Sequence, residues 1–507
     1  MLTGCFDIIH INSGSSSAGN NSTTPHTSSE NGSQPGISTS QGGNDDKPVI
    51  QDSQDYLNFW NPNTEITLSI NMTSAAANFM NSYQSDHGDS LYHDYYVPCT
   101  VNLTINGKTT IFDEVGIREK GNLSRNQFLD NGHFTTHSLA HFKLNFTETF
   151  DGDEYTTVND LKAFKHTWSN ASERDERKHR TLFDMEKIDI KWNRNNDETN
   201  SKQAFALKTF RDNCVLAGHD TLGKVKLSVG NDTPIAVTYE IMECIDSVFI
   251  KRHFNAAKAD GNLYKCSYTS MGPANLSNNH KSGNYIGIED NKTNYHPIYD
   301  LKTNKKKGTH DVLKNFITLV NDKSSASDYK TKLEKAFDIK GFMMYESIAY
   351  LLGNFDDMRN NSNNYYLYFE SGTDIAHVIP FDFDRCFGTG SEGRQDYMTS
   401  FSPESTKMQC TGDWQSMNLY WRTICQNTSH SNIERIEEYR AMYQANIEKV
   451  LNNGAISTST FTSYVNSFPQ SYRGNPSGAG EGNTTYENYL NKKISAIKSN
   501  CPDYNIN

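Results

Sequence analysis

Long apolar runs are missing from this chain. No stretch approaches the roughly eighteen consecutive apolar residues of a membrane-spanning helix. Positive charge is also scarce: 48 Lys and Arg face 60 Asp and Glu, a formal net charge of −12. Broad nucleic-acid binding needs a basic face, so no nucleic-acid partner is expected. The local basic run 302–307 reads as a solvated loop. No GxxxxGK[ST] motif is present, which excludes a Walker-type phosphate loop, and no internal repeat points to a solenoid. Hydrophobic residues make up only 35% of the chain, but 27 Tyr and 26 Phe compensate with large area per buried side chain. At 507 residues the chain exceeds one ordinary core and is expected to form two lobes or domains.

The nine cysteines are widely spaced and form no recognisable disulfide framework. Leu2-Thr3-Gly4-Cys5 has the form of a bacterial lipoprotein processing site, although the charged and apolar parts of a signal peptide do not precede it. Residues 1–11 are therefore read as a lipoprotein-type N-terminus, with a membrane tether through Cys5. Residues 12–61, rich at first in Ser, Thr, Asn and Gly, are read as a disordered linker leading from it. Setting Cys5 aside leaves eight cysteines, which suit either pairing in an oxidising compartment or scattered buried thiols.

Beyond the linker, alternation predicts strands over 65–71, 95–105, 108–117, 141–146, 224–229 and 235–242, with Asn106-Gly107 turning the second into the third. Helical spacing covers 173–190 and 201–217. Past Ser247 the pattern predicts helices over 312–320, 339–352, 431–452 and 486–498, and a short hairpin of 365–369 with 375–381. Residues 389–413 lack periodicity and read as a mobile or functional loop. A strand-rich part followed by a helical part gives the α+β class in two lobes, divided as 62–246 and 247–507.

Two acidic segments flank that hairpin. The first, 353–364, carries Asp356, Asp357 and several Asn, and runs into the Tyr-rich strand. The second, 380–388, carries Asp382 and Asp384, which point to one side of an extended chain. Such hard oxygen donors suit Mg2+ or Mn2+ held partly by substrate phosphates, the geometry that phosphoryl transfer requires. A third segment, 116–125, is a strand running into a Gly/Asn/Ser turn with Arg118 and Lys120, suited to clamp phosphates.

Taken in order, 116–124, the 142–146 strand, 239–249, 261–265, 353–356, 364–368 and 380–388 resemble the CotH kinase family, over about residues 62–500. The resemblance implies an atypical protein-kinase-like fold with a strand-rich N-lobe and a helical C-lobe. It also implies a metal-dependent kinase that moves the γ-phosphate of ATP to Ser or Thr of secreted or surface proteins, such as those of a spore coat. A non-catalytic adhesin or coat-assembly scaffold is the alternative. An extracellular, cell-surface or spore-coat location and a monomeric state are expected. Asp356 would be the catalytic base, with Asp357 as its competitor. Asp382 would be the metal ligand, and Asn364 the second ligand, in competition with Asn361. Lys143 would contact the ATP phosphates, paired with Glu173 or Glu176; Arg118, Lys120 and Gly121 would form the phosphate-facing turn. Met242 and Glu243 would lie beside the adenine, although 236–239 departs from the family's Gly-x-Tyr.

Overall fold

The computed structural model describes residues 47–83, 94–121, 124–290, 293, 295–307, 309–387, 401–405, 418–425, 433–480 and 484–507. Its first half is organised by alternation. In β1 (Ile66–Met72) every second residue is buried, from Ile66 through Leu68 and Ile70 to Met72. β2 (Val97–Ile105) and β3 (Lys108–Glu119) follow, joined at Asn106 and Gly107, both with positive φ, as a tight hairpin turn requires. A two-residue ribbon, β4 (Leu129–Asp130) and β5 (His133–Phe134), precedes β6 (Phe142–Asn145), β7 (Lys187–Trp192), β8 (Asp220–Val229) and β9 (Ile235–Glu243).

Seven of these strands close into a barrel in the order β1-β2-β3-β6-β7-β9-β8. Every neighbouring pair is antiparallel except the closing one, where β1 lies parallel to β8 with Thr67 beside Lys224. Closure leaves no unpaired edge, and the inward residues of the strands form one hydrophobic core.

A second sheet, ordered β11-β12-β10-β13-β14, comprises β10 (Asn262–Cys266), β11 (Ile286–Gly287), β12 (Tyr299–Leu301), β13 (Tyr365–Phe369) and β14 (Ala376–Pro380). Its strands share a second core with the helices Asp311–Val320, Ala326–Ala336, Ile339–Leu352, Glu437–Asn452, Thr458–Ser467 and Tyr486–Asn500. The helix Ile339–Leu352 is buried almost all round and stops at Gly353, whose φ is +63°. A Cβ there would sit 2.1 Å from the Tyr489 hydroxyl, so glycine is required for both conformation and space. Among the described residues no helix is long and apolar enough to cross a membrane.

The α+β class is thus as expected, with three differences. Residues 173–190 do not form one helix. The helix is Ala171–Lys178, and the isoleucines of β7 then alternate into the barrel core. The part beyond Ser247 holds three strands besides the expected hairpin: β11 and β12, of two and three residues, are too short to carry a period, and β10 lacks the dense apolar run that marks β13. Residues 54–59, read as linker, are a helix capped by Ser53, with Tyr56 and Phe59 buried. Among the described residues six cysteines, Cys244 and Cys266 among them, are buried thiols outside any disulfide. Cys5 and the loop 389–400 lie outside the described residues.

Candidate active site

The β13–β14 hairpin assembles the acidic groups. Its register places Tyr365 opposite Pro380, and the Phe381 amide donates to the Asn364 carbonyl at 3.2 Å. The loop leaving the Ile339–Leu352 helix is thereby set against the chain that follows β14. In that loop Asp356 is clasped by asparagines: Asn361 and Asn363 donate to one carboxylate oxygen, and Asn364 donates to the other at 2.9 Å. The Asn364 amide group also donates to the Asp356 carbonyl at 2.9 Å, which fixes its orientation and turns its side-chain oxygen away. That oxygen accepts no hydrogen bond among the described residues. Asp357, the competitor, is spent locally: it caps the helix Met358–Asn361 through the Asn360 amide at 2.8 Å and is buried.

Asp382 holds a φ of +57°, a left-handed conformation that costs a non-glycine residue about 1–3 kcal/mol. The Lys191 ammonium on β7 bonds Asp382 directly and lies 2.9 Å from Asp384. Asn195 donates to Asp384 at 2.7 Å. Burial pushes the Asp382 carboxyl up, but Lys191 outweighs it and holds the group down at about 2. Asp384 is raised, by burial and then by the Asp382 charge. Burial raises Asp356 too; the asparagine bonds oppose this, and the Asp382 and Asp384 charges add to it. Three carboxylates therefore raise or restrain one another's charge across one cleft.

Lys191 escaped the sequence reading. It lies within an Ile-Asp-Ile-Lys-Trp strand whose polar residues look like an outer face. Its only signal was two charges on the same side of a strand otherwise buried. Gln203, on the helix Lys202–Asp212, accepts from Lys191 at 2.9 Å and donates to Asp220 and Glu240, each at 2.9 Å. Lys143 does not share this environment. It pairs with Asp189, at 3.1 Å, rather than with Glu173 or Glu176, and it donates to the Cys244 sulfur at 3.4 Å. Lys120 binds the other oxygen of Asp189 at 2.8 Å. Burial pushes Asp189 up, but the two lysines outweigh it and hold the carboxyl well below the usual range. Lys120 also stands 5.6 Å from the centre of the Phe381 ring, next to Asp382 in sequence.

The remaining predicted residues are distributed unevenly around this cleft. Gly121 follows β3 with a φ of +92°, and a Cβ there would sit 2.0 Å from the Ser124 hydroxyl. Arg118 is tied to Asp94 at 2.7 Å. Met242 is buried, with its sulfur 3.1 Å from the Gln203 amide. The Glu243 carboxylate is turned towards the N-terminal helix: it accepts from the Tyr56 hydroxyl at 2.7 Å and the His219 amide at 3.1 Å. Gly388 lies outside the described residues.

The oxygen donors fit a divalent cation of the magnesium kind. Among the described residues no three His, Cys, Asp or Glu side chains form a cage by themselves. A cation would therefore take one or two carboxylates and an amide oxygen and leave further positions to substrate oxygens, as Mg2+ prefers.

A family model described as CotH kinase protein matches residues 237–480. This part of the chain is a CotH kinase family domain. The match starts in β9, and so includes Asp356, Asn364 and Asp382 but not Lys120, Lys143 or Lys191. No curated protein matches the chain. The CotH segment thus carries the acidic half of the cleft, and the preceding barrel strands supply the lysines that face it.

Proposed function

We propose that this CotH-family chain is an ATP-dependent protein kinase acting on Ser or Thr hydroxyls of secreted or surface proteins. The observation that carries the reading is the juxtaposition of an asparagine-clasped Asp356 with the Asp382–Asp384 pair and Lys191. The barrel and the helix-backed second sheet serve as the two lobes, each with its own core. Asp356 orients the acceptor hydroxyl and takes its proton; its three amide donors hold the carboxylate in one direction. Asp382 and Asn364, with Asn361 adjoining, are the residues to hold Mg2+ or Mn2+. When bound, such an ion neutralises charge on the transferred phosphoryl oxygens. Lys191, Lys120 and Lys143 line the barrel side and bind nucleotide phosphates, so the phosphate lysine nearest Asp382 is Lys191.

The test is transfer of labelled γ-phosphate from ATP to a mixture of secreted proteins with Mg2+ or Mn2+, comparing the native chain with Asp382→Ala. Incorporation that disappears in the variant is the expected result. Absence of both transfer and nucleotide binding in the native chain would overturn the reading in favour of a binding or scaffold role.

A further inference from the structure

Four lysines converge where the barrel meets the second sheet: Lys120 just after β3, Lys143 on β6, Lys265 on β10 and Lys302 just after β12. Three of them have carboxylate partners. Lys120 and Lys143 share Asp189, and Lys302 binds Asp300 directly and Glu289 at 3.4 Å. Lys265 has none: among the described residues no carboxylate lies within ion-pair distance of it. Its ammonium instead stands 5.4 Å from the centre of the Phe381 ring, the same ring that Lys120 approaches from the barrel. Pairing across the sheet sets Lys265 beside Tyr366 on β13 and Asp300 on β12, so its backbone position is fixed on both sides.

The charge around Lys265 is unfavourable as it stands. Burial pushes its pKa down to about 8, and Lys302, Lys120 and Lys143 add to the effect. Glu289 opposes them, but its oxygens are already taken by Lys302 and by His296 at 2.9 Å. A partly buried ammonium with no carboxylate partner among the described residues, set beside three others, favours an incoming multivalent anion. The anion would also meet Lys120, which stands 5.6 Å from the centre of the same Phe381 ring, immediately before Asp382.

We propose that Lys265 is a polyphosphate-binding residue, which holds the phosphate chain of the nucleotide from the second sheet while Lys120 holds it from the barrel. The inference rests on the kinase reading for the identity of the nucleotide, but not for the anion site itself. Two contacts from separate sheets would make the bound polyphosphate a bridge between them, so Lys265 acts on affinity rather than on proton transfer.

The experiment is calorimetric titration of the full chain with tripolyphosphate in the absence of metal, and with ATP and Mg2+, for the native protein, Lys265→Met, Lys265→Gln and Lys265→Arg. Melting curves accompany each, and neutralising a repelled lysine should leave the melting temperature of the empty protein unchanged or raised. Lys265→Met and Lys265→Gln are expected to weaken both ligands about tenfold or more, with Lys265→Arg near the native value. ATP affinity within about twofold of native in the folded Met and Gln variants would overturn the inference while leaving the kinase reading intact. Lys265-dependent tripolyphosphate binding without ATP binding would uphold the anion site and overturn the kinase reading. Native protein that binds neither ligand would overturn both.

Discussion

Asp356 accepts from three amide groups, so replacing it by Asn would set amide against amide while keeping shape. Under the proposed function Asp356 is the general base, and removing such a base costs about 10²–10⁴-fold in rate. Asp356→Asn should therefore lower kcat by that order and leave KM for ATP nearly unchanged, as steady-state kinetics would record. Glu346 supplies a second prediction at the same scale. It is fully buried and accepts a hydrogen bond from the Tyr420 hydroxyl. Burial is the main cause that pushes its carboxyl up to about 8. An unfolded glutamate titrates near 4.3, so between about pH 4 and pH 8 the folded state keeps a proton that the unfolded state has lost. The stability tied to that proton is present below about pH 4 and drains away as pH rises to about 8. Glu346→Gln should thus gain melting temperature relative to the native protein between pH 5 and pH 8, and a difference that stays constant with pH would contradict this. The acidic residues were legible in sequence because Asp356, Asn364 and Asp382 border a hairpin whose apolar run is unmistakable. Lys191 was not, because the charged run before it carries helical spacing up to 190 and predicts no strand there.

The helix Gln54–Phe59 works as an element through what it fastens. Its Tyr56 hydroxyl is the donor for Glu243 at the end of β9, and Arg252 stacks on the Tyr56 ring at 3.7 Å while binding Asp52 at 3.1 Å. The backbone amides of Val49 and Ile50 donate to the carbonyls of Phe254 and Lys251, completing a strap over the helix Ser247–His253. Tyr56→Phe would keep the ring but leave a buried carboxyl without its hydroxyl donor, at a cost of about 1–3 kcal/mol. Urea unfolding should show that as a lower midpoint with an unchanged slope. None of this was readable in advance, since a six-residue helix next to a Ser-rich stretch carries less than two turns of pattern. The Ile339–Leu352 helix and both strands of the hairpin were readable almost to the residue, because length and a dense apolar run mark them and Gly353 ends the helix. β7 was hidden for the opposite reason: a charged helix precedes it, and Lys187, Asp189 and Lys191 extend that charge into the strand.

At the scale of the whole molecule, Lys191 is the bridge between the barrel and the acidic end of the second sheet. Burial lowers its pKa, yet Asp382 and Asp384 outweigh that and hold the ammonium charged throughout the accessible pH range. Breaking a buried pair by removing one partner costs about 3–5 kcal/mol, because the other charge stays behind without compensation. Lys191→Met would leave two carboxylates facing each other in a poorly solvated cleft, and the empty protein should melt at a markedly lower temperature. A divalent cation offers those carboxylates the charge that the lysine took away, and anything that binds only the folded state stabilises it by mass action. Mg2+ or Mn2+ should therefore raise the melting temperature of Lys191→Met more than that of the native chain, and Asp382→Asn in the same background should abolish the difference. Thermal melts with and without a chelator measure this without reference to catalysis. Equal responses to the metal in native and variant protein would mean that the Asp382–Asp384 pair is an ion-pair joint between the two sheets and not a cation site.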